Sequence, residues 1–468
     1  MFKKYFSLNN LSTLLLYFSI LAFTVAFNFS DNRSGGWYQQ FLPNLNGASI
    51  SDITFVDSLV GYAVTNNEAV NDTDYILKTT NGGNIWNIIR TDIQTFAGFN
   101  KIVFLNKDTG YTCGVSDNPK FSSLQNTING GLIWENINAP DPFFSIDDIS
   151  VLNNDTIWIA VSSNPTGGVF KTTNGGTSWT RQLNLGSLNP ENIYMFNKDI
   201  GFISKVNTGA PYTRKTTDGG QSWFVVVNNE GFTDINFTDS LTGWKCYGEL
   251  DSIKMTINGG LNWTKLLLPP TGGFFNLSAI RKFAFINKDT IWGVGARAGT
   301  SLGFRGLIYK STNGGITWGY QMPDSLNINV GRYFFVDFVN KTNGWAYSTT
   351  TGVHTKIGGD TTFYTGVQQL VSVIPEDFEL KQNYPNPFNP RTVIRFSLKR
   401  KAKVRLIVYD IRGIEVQRLA DGRYDAGEYE ADFMGKFSSS GVYFYRMEVE
   451  DERSGKVFSD TKRMILLK

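Results

Sequence analysis

Histidine occurs once in this chain, at His354, and cysteine twice, at Cys113 and Cys246. So few soft donors cannot assemble a zinc site of the usual kind, and neither metal nor cofactor is expected. Lys and Arg number 44 against 41 Asp and Glu, too even a balance to make nucleic acid a partner. Helical periodicity is missing as well. Gly, Asn, Asp and Thr punctuate the chain so often that helices have little room. Glycine, at 47 residues, and aromatic residues, at 14%, are plentiful, the composition of many short strands packed by rings and joined by tight turns. The fold class read from this is all-β.

Long apolar runs are confined to one place. Lys3 and Lys4 precede an uncharged stretch from Leu11 to Phe27, which passes Ala26 into the polar "NFSDNRSGG". A basic start, an apolar middle and a small residue before a polar stretch make residues 1–27 a secretory signal peptide. A membrane anchor is the alternative, the run being at the short end of what spans a bilayer.

The phrase "KTTNGGTSW", Lys171 to Trp179, recurs. Its six copies end at Trp86, Trp134, Trp179, Trp223, Trp263 and Trp318, at intervals of 40 to 55 residues, the size of a four-stranded propeller blade. A second phrase, apolar–polar alternation broken by an Asn, Asp, Ser or Lys turn, starts at Ile53, Ile102, Ile149, Ile193, Ile235, Phe283 and Val336 and reads as a hairpin. One unit is thus strand A "ITFVD", strand B "GYAVTN", strand C "YILKTT", the Asn-Gly-Gly turn and strand D "WNIIR". Repetition predicts a seven-bladed β-propeller over residues 34–365. The seventh turn, "HTKIGGDTTF" from His354, keeps Gly358 and Gly359 but loses its Trp, and His354 is expected at the surface. A lone strand, "SGGWYQQFLP" from Ser34 to Pro43, is predicted to complete the last blade and close the ring, which removes open sheet edges. Cys113 and Cys246 hold the same place in strand B of the second and fifth units. A ring sets them nearly opposite each other, beyond the roughly 7 Å Cα reach of a disulfide, so two buried free thiols are expected.

A shape-holding role falls to Asn81, Gly83 and Trp86, to Asn129, Gly131 and Trp134, to Asn174, Gly176 and Trp179, to Asp218, Gly220 and Trp223, to Asn258, Gly260 and Trp263, and to Asn313, Gly315 and Trp318. The Asn or Asp side chain is expected to bond its own backbone two residues on, the glycines to accept positive φ, and the indole to bury. The pattern resembles the Asp-box of bacterial neuraminidase repeats, Ser/Thr-x-Asp-x-Gly-x-Thr-Trp, with the acid kept only at Asp218. In that family the boxes lie on the rim away from the active site, which implies a stabilising role here. The Gly-Gly-x-x-Trp blades also resemble the photosystem II stability and assembly factor family, which implies protein association.

Sialidase-like glycoside hydrolysis is the competing reading. In the Asp-box enzymes that chemistry takes three convergent arginines, a Tyr nucleophile activated by Glu, and an acid. The arginines between Trp37 and Thr365 are Arg90, Arg181, Arg214, Arg281, Arg297, Arg305 and Arg332, and the spacing of Glu68, Glu191, Glu230 and Glu249 pairs none of them as acid and nucleophile. No catalytic residue is assigned, and a non-catalytic binding or structural role, with a surface protein or glycan as ligand, is preferred. The longest insert between strands, "GARAGTSLGFRG", supplies Arg297 and Arg305 as candidate contact residues. A monomer is expected.

After Thr365 the blade phrases stop. Residues 366–378 read as a linker and 379–468 as a small immunoglobulin-like β-sandwich, with Val404, Leu406 and Val408 alternating onto one face. Gln382, Asn383, Tyr384, Pro385, Asn386, Pro387, Phe388, Asn389 and Pro390 open this unit. Tyr409, Asp410 and Gly413, then Gly427 and Tyr429, then Ser440 to Arg446 including Gly441 and Tyr443, and finally Lys468 follow. This set resembles the type A C-terminal sorting domain of the type IX secretion system of Bacteroidetes. The resemblance implies passage to the periplasm, recognition by that machinery at the outer membrane of a Gram-negative bacterium, and a secreted or cell-surface destination.

Overall fold

The computed structural model describes residues 36–467 apart from 67–72, 94–97, 116–123, 141–144, 163–166, 185, 187, 207–209, 248–251, 270–278, 301–302, 317, 324–327, 329, 360–366, 372–374, 390, 436–437 and 452–456. The signal segment 1–27, Ser34, Pro390 and Lys468 lie outside the described residues. No α-helix occurs among those described, so none is long and apolar enough to cross a membrane.

The strands form four-stranded sheets in sequence order. The first runs from strand A, Ser49–Phe55, through B, Gly61–Asn66, and C, Thr73–Thr79, to D, Asn87–Ile93. Five more sheets repeat this order. The next combines Phe335–Phe338, Gly344–Tyr347 and Thr351–Thr355 with Tyr38–Phe41 from the start of the chain. Tyr38 pairs with His354 and Phe41 with Thr351, so the lone Gly-Gly-Trp strand is the outer strand of this sheet, as expected. Glycine opens strand B where the last ring of strand A lies across it: a Cβ on Gly61 would meet the Phe55 ring at 2.6 Å.

Each strand A touches strand A of the sheets on either side, and the strand A of Phe335–Phe338 touches that of Ser49–Phe55, so the circle closes. Inner strands leave a row of N–H groups without a ladder partner, and carboxylates of the preceding sheet accept them. Asp52 takes the N–H of Ile102 at 3.1 Å, Asp148 that of Ile193 at 2.9 Å, and Asp234 that of Phe283 at 2.7 Å. Asp337 completes the belt by accepting from Phe55 at 2.7 Å. Lys101, 3.6 Å from Asp52 and 4.0 Å from Asp148, and Lys282, 3.3 Å from Asp234, offset part of this buried negative charge.

Two further sheets share one core. Val367–Val371, Gly427–Met434, Arg391–Leu398 and Glu379–Leu380 make one, while Glu415–Tyr424, Ala402–Tyr409, Gly441–Asp451 and Val457–Leu466 make the other. Phe396, Phe433, Leu406, Tyr445 and Met447 fill the space between them. This corrects the reading of residues 366–378 as a linker: Val367–Val371 is an edge strand paired with Gly427–Met434.

His354 also differs from expectation. It is 1% exposed, because its ring stacks on Trp345 at 4.6 Å and its Nδ1 is bonded by the hydroxyl of Tyr38. The residue seals the joint between the two ends of the ring. Burial holds its pKa down at about 3, with Lys356 adding to the shift. Cys113 and Cys246 are buried and free, as their placement predicts.

Candidate functional site

The ring has two ends of different chemistry. At one end lie the A-to-B turns and the Gly-Gly turns. In each box the Thr or Ser hydroxyl accepts the N–H of the second glycine: Thr172 from Gly176 at 2.9 Å, Thr216 from Gly220 at 2.8 Å, Ser311 from Gly315 at 2.8 Å. Asn174 Oδ1 accepts from the N–H of Ser178, four residues on rather than two, and Asn81, Asn129, Asp218 and Asn258 repeat this bond. Asn313 joins the hydroxyl of Ser311 at 3.0 Å. Gly83, Gly131, Gly176, Gly220, Gly260 and Gly315 all have positive φ. Trp86, Trp223 and Trp318 are buried, whereas Trp134, Trp179 and Trp263 stay partly exposed.

The seventh turn is intact in geometry. Gly359 donates to Thr355 at 2.8 Å, and Trp37 stands beside Gly359 as Trp318 stands beside Gly315. The lost indole is thus supplied from the other end of the chain.

Sequence reading missed a second set of rings. Strand B carries Trp158, Trp244 and Trp345, whose indoles donate to the first box glycine of the following sheet, at the carbonyls of Gly219, Gly314 and Gly82, at 3.0, 3.0 and 2.9 Å. Lys171, which opens the "KTTNGG" phrase, lies 4.6 Å above the Trp158 ring and reaches the same Gly219 carbonyl at 3.1 Å. Boxes and rings therefore tie each sheet to its neighbour.

The other end, where strands A begin and B passes to C, gathers arginines. Arg281 precedes strand Lys282–Phe285, and Arg297 lies on the hairpin Ile291–Thr300 with Gly303–Ser311. Arg332 precedes Phe335–Phe338 and donates from Nε to the carbonyl of Gly295 at 2.5 Å. That glycine is the hub: with φ +131° and the backbone N of Arg281 2.8 Å from where its Cβ would stand, it brings the three segments together. The Arg297 guanidinium sits 4.1 Å over Phe304 and that of Arg332 5.1 Å over Phe334, both rings being partly exposed. Arg297 Nε is buried without a hydrogen-bond partner. Burial, then the like charges of Arg281 and Arg297, lower the pKa of Arg332. Among the described residues, none of the three forms an ion pair. Arg305, the other sequence candidate, is 8% exposed and sits one register position away, opposite Ala298, so its side chain is not displayed beside Arg297.

The residues that carry the resemblance to a sorting domain divide between core and surface. Asn383 is buried; its backbone N–H donates to the Tyr445 hydroxyl at 2.7 Å and its side-chain amide donates to Thr392 at 2.9 Å. Phe388 enters the core and pairs with Leu466. Asn386 accepts from the N–H of Ile465 at 2.9 Å, so this stretch covers part of the edge of the last strand. Tyr429 and Tyr443 donate to the carbonyls of Asp425 and Ser439 at 2.8 and 2.7 Å. Gly413 and Gly427 take positive φ, as does Gly441. Tyr384, Pro385, Pro387 and Asn389 are exposed, Tyr384 at 81%.

No protein-family model matches the chain, and no curated protein matches it. Solved structures do. YCF48 bound to D1 peptide superposes with a TM-score of 0.50 at 20% identity, covering 69% of this chain and 97% of that one. The fold is a β-propeller. YCF48 from Cyanidioschyzon merolae follows at TM-score 0.48 and 15% identity over 68% of this chain and 98% of that one. Virginiamycin B lyase from Staphylococcus aureus has TM-score 0.49 and 14% identity over 69% of this chain and all 100% of its own. At such identities the likeness concerns the propeller's architecture alone.

Proposed function

We propose that this chain is an exported, non-catalytic binding protein: a seven-bladed propeller whose arginine end takes a carboxylate-bearing polypeptide, followed by an immunoglobulin-like type A sorting domain that routes it through type IX secretion. The observation that carries the binding reading is the group Arg281, Arg297 and Arg332. Like charges held together and lacking carboxylate partners among the described residues favour an anionic ligand, and Phe304 and Phe334 offer it apolar contact. YCF48, a protein of the same fold, has been solved with a peptide bound. The routing reading is supported by the near-complete motif set from Gln382 to Arg446 and by the signal-peptide pattern of residues 1–27.

A sialidase-like hydrolase is the second reading, and the same three arginines favour it, because a sugar acid also presents a carboxylate. Titration of the purified chain with Glu- and Asp-rich peptides, beside a screen on chromogenic sialosides and glucosides, separates the two. Saturable peptide binding without turnover supports the binding protein. Turnover of any glycoside supports the enzyme.

A further inference from the structure

At the box end of the ring the two turns of each sheet share one surface. The first box glycine donates its N–H to the A-to-B turn, as Gly82 does to the carbonyl of Leu59 and Gly259 to that of Leu241, both at 2.8 Å. Bonded in this way, and tied to the neighbouring sheet by the indoles, the turns hold their variable side chains in fixed positions. Counted in chain order from the one that begins with Ser49–Phe55, the sheets differ in what those positions carry.

In the third and fourth sheets they are polar: Thr173, Thr177 and Ser178, then Thr217, Gln221 and Ser222, all exposed. The turn is therefore complete without an apolar residue. The second sheet nonetheless displays Ile128, Leu132 and Ile133, Leu132 at 81% exposure, and the fifth displays Ile257, at 73%, and Leu261 beside Leu241. Between them the sixth, seventh and first sheets add Ile316, Ile357 and Ile85, each more than half exposed. Folding gains nothing from leaving these side chains in water, so the arc from the fifth sheet through the seventh to the second is a surface for another molecule to cover.

Charge, area and arrangement select that molecule. The same turns carry Lys107, Lys288, Lys341 and Lys356 against Asp57, Asp108, Asp239 and Asp289, a near balance that draws neither an anionic bilayer nor a strongly charged protein. A fully exposed Ile or Leu side chain offers on the order of 100 Å² of apolar surface, so the tips present about 500–600 Å². A standard interface takes about 800 Å² from each partner, of which about 65%, or ~520 Å², is apolar in homodimers. The arc is also self-complementary. A two-fold axis through the seventh sheet, at right angles to the ring axis, sets the second sheet of one copy against the fifth of the other and the first against the sixth, while the polar third and fourth sheets meet each other.

We infer that the box end is an interface between two copies of this chain, packed face to face about that axis. Leu132 of one copy then lies against Leu261 of the other, twice over. Because the turns are already fixed by their hydrogen bonds, little ordering cost opposes association. The dimer replaces the monomer expected from the sequence, and it leaves the two arginine ends facing outward, away from each other.

Sedimentation velocity of the full chain, purified from the periplasm of a host without type IX secretion, should show a dimer at micromolar concentration. Leu132→Asp and Leu261→Lys each place a charge in the interface and should weaken dimerisation at least about hundredfold. Each alone then sediments as a monomer, with circular dichroism establishing that it is folded. Mixed in equal amounts the two should dimerise again, because position 132 of one meets position 261 of the other. Ile411→Asp, at an exposed site of the sandwich, should dimerise as the native chain does. A monomeric native chain overturns the interface, and flotation of that monomer with phosphatidylcholine vesicles would make a bilayer the occupant instead. A mixture that stays monomeric, or equal loss in Ile411→Asp, overturns the proposal as well.

Discussion

The indole N–H of Trp37 donates to the side-chain oxygen of Gln321 at 2.7 Å, across 284 residues of sequence. Trp37 also packs edge-on against Trp292 and Phe338, with ring centroids 6.0 and 6.1 Å away. One side chain thus binds the last sheet to the one before it, the place a box Trp fills elsewhere, as Trp86 does by donating to Tyr347 at 3.0 Å. Trp37→Ala should cost about 3–5 kcal/mol, the range for removing a fully enclosed ring. Denaturant unfolding followed by fluorescence measures it.

The box turns are expected to carry shape and no chemistry. Thr172→Val leaves the buried Gly176 N–H without its acceptor and should destabilise by about 1–3 kcal/mol. Asn174→Asp, which restores the acid of the Asp-box pattern, should preserve Oδ1 as acceptor for Ser178 and leave both the melting temperature and ligand binding unchanged. Calorimetry on the two variants checks this contrast.

Acid should loosen the ring at its joint. His354 has a folded-state pKa of about 3, below its ordinary 6.5, so an unfolded chain takes up a proton that the native state refuses. Stability from this group is present above pH 6.5 and is lost as pH falls from there toward 3, at up to about 1.4 kcal/mol per pH unit. Asp147 and Asp337, both raised to about 6 chiefly by burial, act in the opposite sense below pH 6. The measurable quantity is therefore the difference between the native chain and His354→Gln: melts from pH 7 to 4 should converge as the native chain loses its advantage.

At the arginine end, Arg332→Ala and Arg297→Ala should each weaken binding of a Glu-rich peptide about tenfold, ~1.4 kcal/mol. Raising salt should weaken binding to the native chain more than to either variant, since screening acts on the charges removed. Isothermal titration at two salt concentrations tests both statements. Arg281→Ala should in addition leave the melting temperature unchanged or higher, because it relieves repulsion on Arg332.

What could be read in the sequence was whatever repeats locally. Asn-Gly-Gly with a Trp three residues on names its own turn, and alternation around "DSLVGY" names its own hairpin, so sheets, strand order and the completing strand Tyr38–Phe41 were legible. What escaped depends on partners far along the chain. Trp158 looks like any strand aromatic until its indole meets Gly219, and Trp345 meets Gly82 across 263 residues. Arg281 and Arg332 precede different strands, and only the fold at Gly295 brings them to Arg297. His354 reads as exposed because a turn without its own Trp looks open, although Trp345 and Tyr38 cover the imidazole. Val367–Val371 is short and lies just before a Pro-interrupted stretch, so its pairing with Gly427–Met434 had no local sign.

Everything turns on the ring being closed by the chain's own beginning. Phe41 and Thr351 face each other in register on the joint, and Phe41 is 64% exposed. In the variant Phe41→Cys with Thr351→Cys, mild oxidation followed by digestion and mass spectrometry should yield one peptide pair joined through positions 41 and 351 within a single chain, with Cys113 and Cys246 unmodified. Free thiols at both positions after oxidation, or a link found only between two chains, would contradict the closed ring.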